Sequence, residues 1–182
     1  LPGAFEFAST IAKRGIVCSI GQSSADYAMA VGAYENGFSG VADCFDQLRP
    51  WSCREPGVVG AALLHEGLTV EINADGQQLH PATLKLVWRL KGADGIILVS
   101  NRMASVGRKD GRHPTSAGEL MIEQGCLSNI SGKFADGVVT LEQAVKNFWE
   151  STGCELTDAF KMATFNPARQ LGMSESKGSL VP

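Results

Sequence analysis

The fold of this chain can be inferred from Ser19-Ile20-Gly21-Gln22-Ser23, where an apolar strand ends and polar side chains follow at once. The pattern returns three times, in Val41-Ala42-Asp43-Cys44-Phe45-Asp46, Ile72-Asn73-Ala74-Asp75-Gly76-Gln77-Gln78 and Leu98-Val99-Ser100-Asn101-Arg102-Met103. In repeated βα units the strands run parallel, so polar residues just past their carboxyl ends converge on one mouth. The sequence therefore predicts a functional site at that mouth.

Hydrophobic periodicity predicts alternating strands and helices in the first half of the chain. Three helices are predicted, at residues 2–13, 24–36 and 81–90, the second capped by serines and the third opened by Pro81. Four buried strands are predicted, at residues 16–20, 41–45, 69–74 and 95–100. Residues 46–57 are predicted to form an irregular loop, which gives the order β, α, β, loop, β, α, β.

The second half of the chain is predicted to close the domain. It is Gly-rich and polar as far as Gly118, and a hairpin is predicted over residues 120–132. Thr140-Leu141-Glu142-Gln143 has the form of a capping box, which predicts a helix that ends at Ser151. A second helix is predicted at residues 156–164.

The order of elements predicts an α/β fold. Apolar strands that alternate with helices favour parallel pairing, with the helices outside the sheet. Four such strands make half of an eight-stranded barrel, so residues 1–182 are predicted to be a single domain, part of a longer (β/α)8 barrel. The chain begins without Met, at Leu1, and stops at Pro182, and we expect the natural protein to be longer.

The composition disfavours several classes of function. The chain has 182 residues, of which 44% are hydrophobic and 19% are charged, as in one globular domain. A net charge of −3 and scattered basic residues disfavour nucleic acid and anionic membranes as partners. No apolar run approaches the ~18 residues of a membrane span. Five cysteines without a CxxC pair are typical of reduced, cytoplasmic proteins, and a small-molecule partner is favoured.

Three further sets of residues carry a resemblance to a known family. They are Arg54-Glu55-Pro56-Gly57-Val58-Val59-Gly60, Ala74-Asp75-Gly76 with Leu79-His80-Pro81, and residues 163–172 with Lys177-Gly178-Ser179-Leu180. In their order and spacing they resemble the sixth-strand loop, the seventh-strand end and the closing helix of the N-acetylglucosamine-6-phosphate deacetylases. These are TIM barrels of the amidohydrolase superfamily. The resemblance runs over nearly the whole chain and implies the second half of such a barrel.

The resemblance implies a metal site at the mouth. In that family a divalent metal, zinc or iron, is held by two histidines and by a glutamate that would precede this chain, and an aspartate moves protons. Gln22 and Asp43 match the histidine positions, and Asn101 matches the catalytic aspartate. An amide oxygen binds zinc weakly, whereas the carboxylate of Asp43, which replaces a histidine, is still able to bind a metal. Asn101 has no basic group that could take a proton from water. The alternative is that no metal binds.

The resemblance also implies a substrate-binding side of the mouth. The family motif Phe-Asn-Ala-Met reads Phe45-Asp46-Gln47-Leu48 here, which places Asp46 and Gln47 at the sugar-phosphate contact. Gln78 replaces a histidine that helps to bind substrate, and Arg54 is kept as a phosphate or sugar contact. Because the Asp46 carboxylate opposes Arg54, we expect a phosphosugar to bind less well than in the family.

Ordinary structural roles remain alternatives for these residues. Gln22, Asp43 and Asn101 could line a pocket that is merely solvated, and Arg54 could form an ion pair with Glu55 that pins the loop. Asp75 and Gly76 could form only a turn.

The three histidines and two of the cysteines are expected to be structural. The spacing of the histidines does not bring them together as replacement ligands: His80 is expected to cap the helix that begins at Pro81, His113 to lie in a polar loop and His65 to lie near a helix end. Cys44 and Cys53 have no nearby base in the sequence, which favours a structural role over nucleophilic catalysis.

Two functions from different classes follow from this reading. The first is an N-acetylglucosamine-6-phosphate deacetylase-like protein of amino-sugar metabolism, with impaired or lost activity in this form. The second is a non-catalytic sugar-binding or scaffold protein. In both, the expected partner is an amino sugar or its phosphate, and we expect at least a dimer, because an open half-barrel leaves two strand edges unpaired. The sequence alone does not separate natural decay of the site from deliberate alteration.

Overall fold

A computed structural model describes residues 2–100, 109–115, 118–123, 126–129, 134–137 and 139–180. The described strands form two four-stranded sheets. The parallel sheet comes from the first half of the chain, and the strands of the antiparallel sheet follow it in sequence, before the last helices.

The parallel sheet consists of β1 (Cys18–Ile20), β2 (Phe38–Val41), β3 (Thr69–Asn73) and β4 (Ile96–Val99). The strands lie side by side in chain order, and each adjacent pair is parallel. The register aligns Ser19 with Gly40 and Gly40 with Thr69. A Cβ atom on Gly40 would lie 2.7 Å from Ser19 Oγ, so the close approach here requires glycine. The predicted α/β class and its four parallel strands are confirmed.

Seven helices lie in the described part of the chain. They are α1 (Ala4–Ala12), α2 (Tyr27–Glu35), α3 (Gly57–Leu64), α4 (Pro81–Lys91), α5 (Leu141–Thr152), α6 (Leu156–Ala163) and α7 (Phe165–Gln170). Two predicted caps are confirmed. The Nδ1 atom of His80 accepts a hydrogen bond from the Ala82 N–H at 3.1 Å, ahead of Pro81 at the start of α4. Thr140 Oγ1 accepts one from the Gln143 N–H at 3.3 Å and caps α5.

The core lies between the parallel sheet and its helices. Side chains alternate along β3, so Val70 and Ile72 are fully buried in the core with Phe148 of α5. Thr69, Glu71 and Asn73 therefore share the opposite face of β3, which is the interior face of the half-barrel. At one end of this face, Thr69 Oγ1 donates to Gln170 Oε1 at 2.7 Å.

The prediction of a strand over residues 41–45 is wrong, because β2 ends at Val41. Asp43 and Phe45 have φ angles of 45° and 82°. A positive φ is incompatible with an extended strand, so the chain turns immediately after Val41.

Two features around the neighbouring helices were also predicted wrongly. The predicted order of elements lacked α3, which is buried from Gly57 to Leu63 and has no polar face to give a helical period. Serines were predicted to cap the second helix, but Asp26 Oδ1 accepts the hydrogen bond from the Met29 N–H at 2.8 Å. Aspartate is among the residues preferred at this position, because its side-chain oxygen can accept a free N–H group of the first helical turn.

The antiparallel sheet is larger than the predicted hairpin. It contains β5 (Gly111–Thr115), β6 (Gly118–Glu123), β7 (Cys126–Asn129) and β8 (Phe134–Gly137). The pair β6 and β7 confirms a hairpin in this region, whereas β5 and β8 were not predicted. His113 lies in β5 and not in a polar loop. Within the part of the chain described here, none of the helices has the length and apolar character needed to cross a membrane.

Candidate functional site

The residues of the described chain whose backbone is strained by a positive φ lie at the mouth, beyond the strand ends. Gln22, Asp43, Phe45 and Gln47 have φ angles of 44°, 45°, 82° and 48°, and no other described residue except glycine has a positive φ. Such a backbone costs about 1–3 kcal/mol per residue and persists where the surrounding structure enforces it, often at functional sites. The strain therefore favours a function for this mouth over a merely solvated surface.

The backbone after β2 is fixed between its two neighbouring strands. The Ala42 N–H donates to the carbonyl oxygen of Ile20 at 2.8 Å, and the Cys44 N–H donates to that of Glu71 at 2.9 Å. The Cys44 side chain points into the core, where burial raises the pKa of its thiol to about 12. Cys44 is thus a neutral packing residue, in agreement with the expected structural role.

Glu71 is the residue of this mouth that the sequence analysis missed. Its carboxyl group is half-buried on the interior face of β3 and accepts a hydrogen bond from the Asp43 backbone N–H. Burial raises the pKa of Glu71, the Asp43 carboxylate raises it further, and the hydrogen bond partly offsets both effects. The signal in the sequence was the alternation Thr69-Val70-Glu71-Ile72-Asn73, which places polar residues on one face of a strand otherwise buried by apolar ones.

The end of β3 forms a tight polar turn. Asp75 is only 4% exposed, and its Oδ1 accepts the backbone N–H groups of Gln77 at 2.8 Å and Gln78 at 2.9 Å. Asn73 Nδ2 lies 3.4 Å from Asp75 Oδ2. One carboxylate oxygen thus fixes the turn and holds the backbone of Gln78 at the mouth.

The loop after β2 carries the other predicted substrate contacts. The Asp46 N–H donates to the carbonyl oxygen of Asp43 at 2.8 Å, and Gln47 Nε2 lies 3.4 Å from Asp46 Oδ2. Arg54 is exposed, and the alternative of an Arg54–Glu55 ion pair is wrong. Glu55 instead accepts backbone hydrogen bonds, so in the described chain the Arg54 guanidinium has no ion pair.

The two predicted metal positions that the structure describes follow adjacent strands, each two residues beyond the paired residues Ile20 and Val41. Gln22 lines a cavity of about 770 Å³ beside β1, together with Ser19 and Phe5. Asp43 does not line this cavity and lies beside Glu71. Asn101, the predicted catalytic position, lies outside the described residues.

The residues present do not fit the metal site that the resemblance implied. Among the described side chains, no group of three or more His, Cys, Asp or Glu residues could hold a metal ion. A zinc site of this kind takes three or four strong donors, whereas Gln22 offers only an amide. His65 packs against Tyr27 and Tyr34, with ring centroids 6.4 and 5.3 Å apart, and supplies no replacement ligand.

Comparison with known proteins agrees with this architecture. Residues 13–182 match the amidohydrolase family. The chain is 31% identical to the N-acetylglucosamine-6-phosphate deacetylase of Lysinibacillus sphaericus, over 99% of this chain and 46% of the relative. It superposes on the Thermotoga maritima enzyme of the same name with a TM-score of 0.88 and 32% identity, covering 97% of this chain and 48% of that one.

A second solved structure adds a ligand to the comparison. A mutant of the Mycobacterium smegmatis N-acetyl-D-glucosamine-6-phosphate deacetylase, in complex with N-acetyl-D-glucosamine-6-phosphate, matches with a TM-score of 0.88 and 26% identity, over 94% of this chain and 46% of that one. The chain spans about half the length of the curated relatives it matches. By the match over residues 13–182, the chain belongs to the amidohydrolase family, and its relatives there include N-acetylglucosamine-6-phosphate deacetylases.

Proposed function

We propose that this chain belongs to a protein of amino-sugar metabolism that binds an N-acetylated amino sugar and hydrolyses its amide poorly or not at all. The observation that supports the proposal is the chemistry of the side chains at the mouth, where an amide, Gln22, and a carboxylate, Asp43, occupy the positions to which the resemblance assigns metal-binding histidines. The amidohydrolase family is generally metal-dependent, and a bound metal would supply an activated water for attack on the amide.

The proton-transfer side of the reaction supports the same proposal. Hydrolysis of an N-acetyl amide needs a group that takes a proton from water and returns it to the leaving amine, and such a group contributes about 10²–10⁴-fold in rate. Asn101 stands at the position of that group, and an asparagine amide has no basic atom that could perform this transfer. The inability to transfer a proton follows from the identity of the Asn101 side chain and does not depend on its placement.

A second function, sugar binding without catalysis, is supported by the backbone of the mouth. The strained residues Gln22, Asp43 and Gln47 cost free energy in the folded state, and a protein that had lost all use for this mouth would gain stability by relaxing them. Arg54, exposed and without an ion pair in the described chain, remains available to a ligand.

The same proposal extends to the whole protein. We propose that residues 1–182 are one domain of a longer barrel, and that the protein associates at least as a dimer. Sedimentation of the full-length protein tests the second point, and a clean monomer would contradict it.

The hydrolytic proposal is tested by acetate release from N-acetylglucosamine 6-phosphate. The full-length protein is assayed at high concentration with zinc or iron added, beside the variant that combines Gln22→His, Asp43→His and Asn101→Asp. We expect the triple variant to be at least about 10²-fold faster than the parent, the low end of the range for general acid–base catalysis. Release by the parent at an equal rate, abolished by a chelator, would show that the unaltered mouth is a working hydrolase and would refute the proposal.

A further inference from the structure

One buried amide on the interior face of β3 has an unpaired oxygen. Asn73 is 3% exposed, and within the described part of the chain its Oδ1 atom accepts no hydrogen bond. A buried acceptor left unpaired costs about 1–3 kcal/mol, so its presence in a strand calls for a reason. Its Nδ2 contact with Asp75 Oδ2, at 3.4 Å, is too long to supply that reason.

A second buried asparagine differs from Asn73 in the hydrogen bonds that its amide donates. Asn166 also has an unpaired Oδ1, but its Nδ2 donates to the carbonyl oxygens of Ala93 at 2.6 Å and Ile96 at 2.7 Å. Those two bonds fasten α7 to the start of β4 and explain why an amide is needed there. Asn73 makes no bond that fastens one element to another.

The orientation of the Asn73 amide is set by its neighbour. Turning the amide over would place Oδ1, and not Nδ2, against the Asp75 carboxylate, and two acceptors would then repel each other. Oδ1 is therefore directed away from Asp75. Side-chain alternation places Asn73 on the same face as Glu71, whose carboxyl group meets the backbone of Asp43.

The charged side chains of this group are all acids. Asp43, Glu71 and Asp75 contribute carboxyl groups, and Asn73 contributes an unpaired carbonyl oxygen. Of the nearby lysines, Lys91 donates from Nζ to the carbonyl oxygen of His65 at 2.7 Å, and Lys85 lines a cavity of about 490 Å³ that also includes Asp75 and Glu150. A ligand beside Glu71 and Asn73 meets hydrogen-bond acceptors and negative charge, because Arg54 belongs to the loop after β2 and not to this face of β3.

We propose that Asn73 Oδ1 and the Glu71 carboxyl group accept hydrogen bonds from the ligand, and that this ligand is an unphosphorylated hexosamine. Sugar hydroxyls, an amide N–H and an ammonium group all donate hydrogen bonds, whereas a phosphate ester at neutral pH offers acceptors and negative charge that Asp43 and Glu71 repel. The inference rests on the proposed sugar-binding function and specifies its ligand class. The neutral and cationic hexosamines share this donor chemistry, and the test separates them.

Titration calorimetry of the full-length protein tests the proposal with three probes: N-acetylglucosamine, glucosamine and N-acetylglucosamine 6-phosphate. We expect both unphosphorylated sugars to bind at least about tenfold more tightly than the phosphate ester, a difference of about 1.4 kcal/mol. Asn73→Leu keeps the side-chain volume and removes the acceptor, so we expect about tenfold weaker binding with an unchanged or higher Tm. The matched control is Asn36→Ala, which alters an asparagine at the opposite end of the sheet, where Nδ2 bonds Gly32, and should leave affinity unchanged.

Glu71→Gln supplies an independent measurement if Asn73→Leu does not fold. Removing this carboxylate should lower the affinity for glucosamine several-fold more than that for N-acetylglucosamine, because only glucosamine carries an ammonium group. An unchanged ratio would overturn the role of Glu71, and tighter binding of the phosphate ester, or an Asn73→Leu variant with parental affinity, would overturn the ligand class. Absence of binding by all three sugars would instead remove the proposed function itself.

Discussion

Glu55 Oε1 lies 2.8 Å from the backbone nitrogen of Tyr27, the first residue of α2. The same oxygen accepts the N–H of Gly57, the first residue of α3, at 3.0 Å. One carboxylate therefore joins the loop after β2, residues 42–56, to the starts of two helices. Unpaired N–H groups and the helix dipole favour negative charge there. This contact, and not an ion pair with Arg54, holds the loop in place.

Glu55→Ala should lower the free energy of unfolding by about 1.5–3 kcal/mol, because it removes a charged acceptor from two N–H groups. Urea unfolding measures the change. Glu175→Ala, at an exposed glutamate near the end of the described chain, should stay within about 0.5 kcal/mol of the parent. Equal effects of the two substitutions would show that Glu55 does not anchor the loop.

Asn166→Ala should be strongly destabilising, by about 2–3 kcal/mol, since it removes the donor from the buried carbonyl oxygen of Ile96 and from the partly buried one of Ala93. Thermal unfolding followed by circular dichroism measures the loss. Asn147→Ala offers a milder comparison, because its Nδ2 bonds a single carbonyl oxygen, that of Ala74 at 2.8 Å. A loss for Asn166→Ala no larger than that for Asn147→Ala would contradict the view that Asn166 is the fastening residue of α7.

The sequence was sufficient for elements whose signals are local. The strand β4 is a continuous apolar run, and the starts of α4 and α5 carry capping residues, His80 and Thr140, directly before the helix. The helix α3 was missed because a segment buried on every side has no amphipathic period to detect. The end of β2 was missed because the positive φ of Asp43 is imposed by its neighbours in the fold and not by its own preference.

The residues of the candidate site were likewise predicted from the sequence only in part. The apolar-to-polar transitions placed Gln22 and Asp43 just beyond strand ends, where the structure has them. Glu71 and Asn73 lie inside a strand, and the sequence alone does not show which face of that strand turns toward the barrel interior. Only the buried helix-facing residues of β3 establish this.

The cysteines should differ sharply in reactivity. Cys53 is exposed, whereas Cys44 is buried with the pKa of its thiol raised to about 12, so almost no thiolate forms there at pH 8. Brief treatment with iodoacetamide under native conditions should modify Cys53 and leave Cys44, Cys18 and Cys154 unmodified, as mapped by peptide mass spectrometry. The same reaction in urea should modify all five cysteines of the chain, and native modification of Cys44 would show that the core opens.

The Asp94 carboxylate should contribute to stability only above acidic pH. Hydrogen bonds from Lys161 and Arg169, both at 2.8 Å, hold the pKa of Asp94 below its ordinary value of 3.8. A lowered pKa means that the stabilisation is complete above the unfolded-state value and disappears as the pH falls through the folded-state value. Because Asp94 is largely exposed, the contribution should be only about 0.2–1 kcal/mol.

Asp94→Asn tests this pH dependence. The variant should be less stable than the parent at pH 7, and the difference should shrink as the pH falls below 3.8 and as salt is added at pH 7. Urea unfolding at several pH values measures both trends. A difference that stayed constant down to the most acidic pH would assign the effect to packing instead of charge.

Metal content should depend on two side chains. The parent protein, purified without chelator from medium that contains zinc and iron, should hold no stoichiometric metal by elemental mass spectrometry, because an amide at Gln22 and a single carboxylate at Asp43 are a poor donor set. The double variant Gln22→His and Asp43→His should retain close to one metal ion. Both positions have positive φ, a conformation that histidine tolerates better than most residues, so the substitutions should not unfold the mouth.

Gln47→His is the matched control, since this glutamine has a φ of 48° in the same mouth, and it should leave the protein without metal. One metal ion per chain in the parent would mean that other side chains hold it, and amide hydrolysis would return as the function of this mouth.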